Sequence, residues 1–306
     1  MDANSLFAKL NAGLAEERLE TFKRNVKKNL PLIKKYGGLR EVVPLLRGKR
    51  IFIVGAGATL AKDVASLKRN SLGRDAVIIA ADMALRPLLM WGVRPDFVIS
   101  CETKPAYFFH GADTRGIRLL AFSCMSPCNL RAWQGDVSFY NWMLNEPDFN
   151  ELWQTAGVEL GFAATASIVL TQAVSIALGC APREIVLIGN DLGFRYEFYA
   201  NGVYAATEYL SLANRLEPLA SVYANKTRAV RQYEIRRGDR VFFTTHQFLA
   251  AKMWLEKLFK EHSCLVYDCS VPGCSETSVV KANLQDVRLR RQGEGVNPIK
   301  SKRRKR

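Results

Sequence analysis

The chain has 306 residues, of which 48% are hydrophobic and 24% charged, and a formal net charge of +15. These proportions exclude a disordered chain, a collagen-like repeat and a coiled coil, and the length allows a sizeable core without disulfides. An odd number of cysteines, seven, scattered through apolar sequence, and an N-terminus without a charged-then-apolar leader pattern predict a reducing, cytoplasmic setting.

Residues 5–48 carry apolar positions at helical spacing, among them Leu19, Phe22, Val26, Leu30 and Ile33, which predict a helical N-terminal segment over 1–48, broken at Pro31 and at Gly37-Gly38. Over 17–50 this lead-in holds 11 basic and 3 acidic residues. Arg50 then opens RIFIVGAGATL, an apolar strand ending in glycines, followed by the helix-like KDVASLKRN. The pattern recurs: AVIIAAD runs into MALRPLLMWG, DFVISCE and RLLAFSC each end in a loop, and a small-residue helix from about Ala164 precedes EIVLIGNDLG. Asp82 interrupts the longest apolar stretch, so no membrane span is expected. Each strand is a nearly continuous apolar run, as required when helices cover both faces of a parallel sheet. The expected fold class is α/β: a Rossmann-like, doubly wound, mostly parallel sheet over 49–286 with an N-terminal helical lead-in. Residues 287–306, with 9 basic residues against 1 acidic, predict a disordered basic tail suited to docking on RNA, anionic lipid or an acidic partner. Residues 51–286 hold 23 charges of each sign, so the positive field lies on the flanks and not around an active groove, where a nucleic-acid-binding enzyme would place it.

In a parallel sheet, ligands bind where the strands' carboxyl ends meet the loops. Gly55, Gly57 and Thr59 follow the first strand, where glycines let a backbone approach a phosphate and the next helix offers free N–H groups. The spacing satisfies neither the dinucleotide fingerprint nor the Walker loop. The second strand ends at Asp82, the third at Glu102 and the later one at Asn190-Asp191, so three strands deliver a carboxylate to one edge; capping and turn-ordering are the structural alternatives for Asp82 and Asp191.

The succession GAGATL, IIAADMALRPLLMWGVRPDFVIS, an Ala/Ser-rich helix ending ALGC, and IVLIGNDLGF resembles the domain shared by bacterial motility accessory factors and the archaeal 6-hydroxymethylpterin diphosphokinase. VFFTTHQFLAAKMWLEKL and LVYDCSVPGCSETSV are similar to the end of the motility-factor version, and the resemblance covers about residues 37–280. It implies a Rossmann-like transferase taking a nucleotide or nucleotide-sugar donor, with motility factors associated with adding nonulosonic, sialic-like sugars to flagellin as protein acceptor. Two departures stand out: Ala164-Thr165-Ala166-Ser167 where the family has a Gly-Gly-Ser turn, and Cys101-Glu102-Thr103-Lys104 where a diphosphokinase shows paired aspartates.

Pyrophosphoryl transfer from ATP is normally managed by magnesium between carboxylates, a place open to Asp82, Glu102 and Asp191, although the aspartate pair is missing. Glycosyl transfer from a CMP-linked sugar ejects a nucleoside monophosphate and needs hydroxyls, amides or a basic residue near the leaving phosphate, with Asn190, Arg195, Tyr196, Tyr199 and Tyr204 at hand. This reading is preferred over the ATP-dependent diphosphokinase and over a non-catalytic nucleotide-binding or interaction module. Gly55, Gly57, Thr59 and Ser167 are expected at the donor phosphate, Asp82 and Glu102 at ribose, base or metal, and Asn190 and Asp191 at the reacting group. The base that deprotonates the acceptor is sought among three histidines, with His110, in a loop after the third strand, ranked before His246 and ahead of His262. Cys264, Cys269 and Cys274 lack zinc-knuckle spacing and are read as buried small hydrophobes, and the aromatic cluster Phe139-Tyr140-Asn141-Trp142 as core or dimer surface more readily than a stacking platform.

Overall fold

The computed structural model describes residues 3–68, 72–144, 147–166, 168–203 and 211–289, with side chains only for those of them between 17 and 287. Eleven strands occur among them: β1 Arg50–Val54, β2 Ala76–Ala81, β3 Phe97–Ser100, β4 Arg118–Phe122, β5 Val137–Trp142, β6 Phe162–Ala163, β7 Glu184–Ile188, β8 Tyr233–Arg237, β9 Arg240–Thr244, β10 Leu265–Asp268 and β11 Val280–Lys281. Nine form one sheet in the order β11-β10-β7-β1-β2-β3-β4-β5-β6, and every pairing in it is parallel. The middle strands are buried on both faces, which is why they read as unbroken apolar runs. The α/β doubly wound expectation is met. After β1 the chain lays β2 to β6 on one side; β7 returns to the other side of β1. The order therefore reverses between β1 and β7, and the loops that follow these two strands face each other at that reversal.

β5 was not foreseen. Its residues form the aromatic cluster, and Phe139, Tyr140 and Trp142 are buried in the core. Aromatic side chains suit a pleated, packed surface as well as they suit a ligand, and here Trp142 stacks on Phe122 at 4.1 Å with the rings 8° apart. The helix expected in KDVASLKRN is reduced to one turn, Leu60–Asp63, and a 3-10 turn, Val64–Leu67. The small-residue helix begins at Val169, five residues later than expected. Between β7 and β10 lie the helix Leu219–Ala229, the antiparallel hairpin β8–β9, and the helix His246–Glu261, whose capping Thr245 hydroxyl accepts from the Phe248 amide at 3.2 Å.

The N-terminal helix runs unbroken from Ala3 to Tyr36, through Pro31. Pro31 lies on the exposed face, as does Lys27, so the Lys27 carbonyl that proline leaves without a donor is open to solvent. Gly37 ends the helix in the left-handed region, φ 70°. Phe22, Val26 and Ile33 on the inner face belong to the single hydrophobic core, so this helix is part of the domain's packing and not only a lead-in. Phe22 meets Phe122 and Trp142 edge-on, at 5.4 and 5.6 Å. The helix is also stapled by two buried asparagines. The Asn25 amide donates to the carbonyls of Thr103 and Cys124, and the Asn29 amide to those of Ser123 and Met125, at 2.9 to 3.0 Å. These are loop carbonyls after β3 and β4 that would otherwise be buried without a donor. At the other end the helix Leu284–Leu289 carries Val287 into the core, so packed structure extends past the expected start of the tail at 287; residues 290–306 lie outside the described residues.

Candidate functional site at the strand ends

All the parallel strands of the large sheet end at one edge, and there a cleft of about 620 Å³ opens. It is lined by Gly55 and Gly57 after β1, Asp82 after β2, Cys101 and Glu102 after β3, Trp142 of β5, and Asn190 and Asp191 after β7. Phe108, Thr165, Gln172, Phe198, Tyr199, Gln247 and Phe248 are among the other lining residues, and so are Glu17 and Arg18 of the N-terminal helix.

The glycine turn meets the β7 loop at backbone distance. A Cβ on Gly55 would lie 2.5 Å from the Gly189 carbonyl oxygen, and one on Gly57 would lie 2.6 Å from Asp191 Cγ. The Gly55 amide donates to Ile188 and the Gly57 amide to Gly189, at 2.8 and 2.9 Å. The Thr59 amide donates to Asp191 Oδ2 at 2.9 Å, and the Thr59 hydroxyl bonds the other oxygen, Oδ1. The donors expected at a phosphate in Gly55, Gly57 and Thr59 are thus spent on the neighbouring strand loop, because the tight β1–β7 approach leaves no room for anything else. Among the described residues, the Ala56 and Ala58 amides in the same turn have no acceptor. Asp191 accordingly acts as the clamp of the loop and does not present a free carboxylate, while the Asn190 amide group donates to the Ile53 carbonyl at 2.8 Å and leaves its Oδ1 buried without a partner.

Asp82 is buried at the cleft floor, accepting from the Ser100 hydroxyl at 2.7 Å and from the Met83 amide at 2.8 Å. Burial pushes its carboxyl up to about 6, against the pull of those two donors and with a further push from Glu102. Burial likewise raises Asp191 to about 7, although the Thr59 bonds oppose it. Burial also pushes the Cys101 thiol up to about 12, with Arg18 acting in the other direction. Glu102 is only half-buried and accepts from the Lys104 amide at 3.0 Å. Beneath them the Tyr140 hydroxyl donates to Gln172 Oε1 at 2.5 Å, and Gln172 donates to Thr165 at 3.0 Å, which fixes the floor.

Both aspartates hold a proton more firmly in the folded chain than in the unfolded one. Between the ordinary value of 3.8 and about 7 the folded state therefore binds more protons, and stability is lost as pH rises through that window. Chemical denaturation from about pH 5 to about pH 8 is expected to show a falling midpoint, flattened in Asp82→Asn and Asp191→Asn. A midpoint that climbed over this range would contradict the burial of these two carboxyls.

His110 does not join the site: it is exposed, its ring lies 5.0 Å from that of Tyr107, and its carbonyl is held by Arg86. The loop after β3 carries it outward past Phe109, which is buried against Trp133. His246 faces the Tyr233 hydroxyl and His262 the Leu258 carbonyl, so no histidine lines the cleft. Ser167 and Tyr204 lie outside the described residues. Among the described residues no three His, Cys, Asp or Glu side chains gather closely enough to hold a metal ion, and Asp82, Glu102 and Asp191 each spend carboxylate oxygens on protein donors. The residues present thus do not make a ready divalent-cation site. Sequence reasoning missed Arg18, Gln172, Phe198 and Phe248. The Phe198 and Phe248 rings, 5.2 Å apart, come from segments 50 residues distant, which no local pattern links.

A doubly wound, parallel α/β domain with its cleft at the point of strand reversal is the architecture that binds nucleotides in many unrelated proteins. The chain belongs to the 6-hydroxymethylpterin diphosphokinase MptE-like family, whose sequence profile matches residues 24–197. Among solved structures it is similar to the Maf glycosyltransferase from Magnetospirillum magneticum AMB-1, with 19% identity and a TM-score of 0.51 over 78% of this chain and 33% of that one. The chain thus spans about a third of that protein's length, and the likeness is one of fold. No curated protein matches the sequence. No helix of the described residues is long and apolar enough to cross a membrane.

Proposed function

We propose that the protein is a nucleotide-dependent transferase, and that it moves a sugar from a nucleoside-monophosphate donor, a CMP-activated nonulosonic sugar, to a hydroxyl acceptor such as one on flagellin. The observation that carries this reading is the meeting of the Gly55–Thr59 turn and the Gly189–Asp191 loop in one cleft at the strand reversal. The free Ala56 and Ala58 amides are assigned to the donor phosphate, and Gly55, Gly57, Thr59 and Asp191 to holding the turn that presents them. Glu102 is assigned to the donor's ribose or base, Asn190 to the reacting group, and the Phe198–Phe248 wall to the planar base. In the reaction the acceptor oxygen bonds the anomeric carbon, the bond from that carbon to the phosphate oxygen breaks, and the nucleoside monophosphate leaves with the electron pair. The acceptor's proton passes to Asp82, whose raised carboxyl suits proton transfer near neutral pH and replaces His110 in this role.

A second reading, pyrophosphoryl transfer from ATP to a pterin, is favoured by the description of the family to which the chain belongs. With no preformed cation site among the described residues, it calls for magnesium brought on the nucleotide. A thermal-shift panel of CMP, UDP, ADP and ATP, each with and without magnesium, separates the two. At 100 times its dissociation constant a ligand stabilises by about 2.7 kcal/mol. CMP acting alone on the wild type and not on Glu102→Ala supports the glycosyl reading; ATP acting only with magnesium overturns it in favour of the second. Silence across the panel overturns both and leaves an interaction module, for which deletion of 290–306, which spares the core residue Val287, would abolish function while Asp191→Asn would not.

A further inference from the structure

We propose that Arg18, on the N-terminal helix, is the anion clamp of the cleft, and that it receives a single phosphate or carboxylate of the ligand. The inference deepens the transferase reading and rests on it for the identity of that ligand.

The placement follows from the helix. Arg18, Phe22, Asn25 and Asn29 fall on successive turns of one face. Phe22 locks that face into the aromatic core, and the two asparagines pin it to the loops after β3 and β4. A helix rises about 1.5 Å per residue, so Arg18 is carried about 10 Å beyond Asn25, to the cleft that opens beside the same β3 loop. There it is half-buried, and among the described residues no carboxylate, carbonyl or hydroxyl accepts from its guanidinium.

The charge of its surroundings makes this placement informative. The other ionisable side chains lining the cleft include Glu17, Asp82, Glu102 and Asp191, and Arg18 is the one Lys or Arg among the described lining residues. Acidic groups outnumber the one arginine, which disfavours a highly charged anion, and a single guanidinium with the neutral Ala56 and Ala58 amides as further donors suits a single oxyanion. A guanidinium offers a planar fork that fits phosphate or carboxylate with two parallel bonds, which an ammonium does not. The cleft is therefore built for a donor with one phosphate, or for the carboxylate of a sugar acid, in preference to a triphosphate.

The test measures the affinity of wild type, Arg18→Gln and Arg18→Lys for CMP, cytidine, inorganic phosphate and N-acetylneuraminate by calorimetry, with circular dichroism and denaturation midpoints as folding controls. Arg18→Gln is expected to weaken at least one of the three anions about tenfold or more and to leave cytidine and the midpoint unchanged, while Arg18→Lys recovers only part of the loss. Loss confined to CMP and phosphate assigns the phosphate as the source, and loss confined to N-acetylneuraminate assigns the carboxylate. If CMP and cytidine fail to bind the wild type while phosphate or N-acetylneuraminate binds through Arg18, the nucleotide reading falls and the clamp stands. If CMP binds all three proteins equally well and the other anions show no dependence on Arg18, the clamp is overturned and the nucleotide reading stands. If no anion binds the wild type, both are overturned.

Discussion

Replacing Phe22 by alanine is expected to destabilise the whole domain by about 3–5 kcal/mol. The ring is fully buried and touches β4 through Phe122, β5 through Trp142 and the helix Pro147–Ala156 through Phe149, at centroid distances of 5.4, 5.6 and 6.2 Å. The loss includes both the apolar surface returned to water and the cavity left among rings that cannot collapse onto it. For a chain of this size a kcal/mol corresponds to about 1.5 °C, so the melting temperature should fall by about 5–8 °C. Calorimetry would show one transition moving as a whole. An unchanged main transition preceded by a separate early one would mean that the N-terminal helix melts independently, and Arg18 would then lack a rigid mount over the cleft.

Gly57→Val has the second large effect, and it reaches function directly. The position does not need a left-handed backbone; it needs empty space, because a Cβ there would stand 2.6 Å from Asp191 Cγ and 2.7 Å from the Gly189 carbonyl oxygen. The oxygen belongs to the backbone and cannot rotate away, so the turn must leave β7. Overpacking of this kind costs about 1–3 kcal/mol, and the move also breaks the Gly57–Gly189 bond and the two Thr59–Asp191 bonds. The Ala56 and Ala58 amides would then lose their direction. Stabilisation by the wild-type ligand is expected to vanish in Gly57→Val even at low temperature, where the variant stays folded. Persistence of the full ligand shift would remove the glycine turn from the binding site. Asp191→Asn, which cuts the same clamp by setting an amide donor against the Thr59 donor, is expected to weaken ligand binding with a smaller loss of stability.

The sequence by itself determined the layered α/β class, because strands covered on both faces must be apolar throughout, and RIFIV, AVIIAA and EIVLI are. It also brought Asp82, Glu102 and Asp191 to one edge, since parallel strands that end in a carboxylate have no other edge to offer. Only the tertiary structure decided what each group does there. Whether a glycine amide faces a ligand or the next loop depends on the separation of β1 and β7, which are 134 residues apart at the Arg50–Glu184 pair. Whether an aromatic run is a platform or a strand depends on which neighbours cover it, and for β5 these are the N-terminal helix and β4. Pro31 failed to end a helix because solvent access and long-range packing outweigh the loss of one backbone bond. His110 pointed away because the loop after β3 is anchored by Phe109 and Arg86, partners that no spacing rule connects to it. Local patterns fix what a segment can become, but the role of a side chain is set by contacts between segments distant in sequence, where packing and charge are decided jointly.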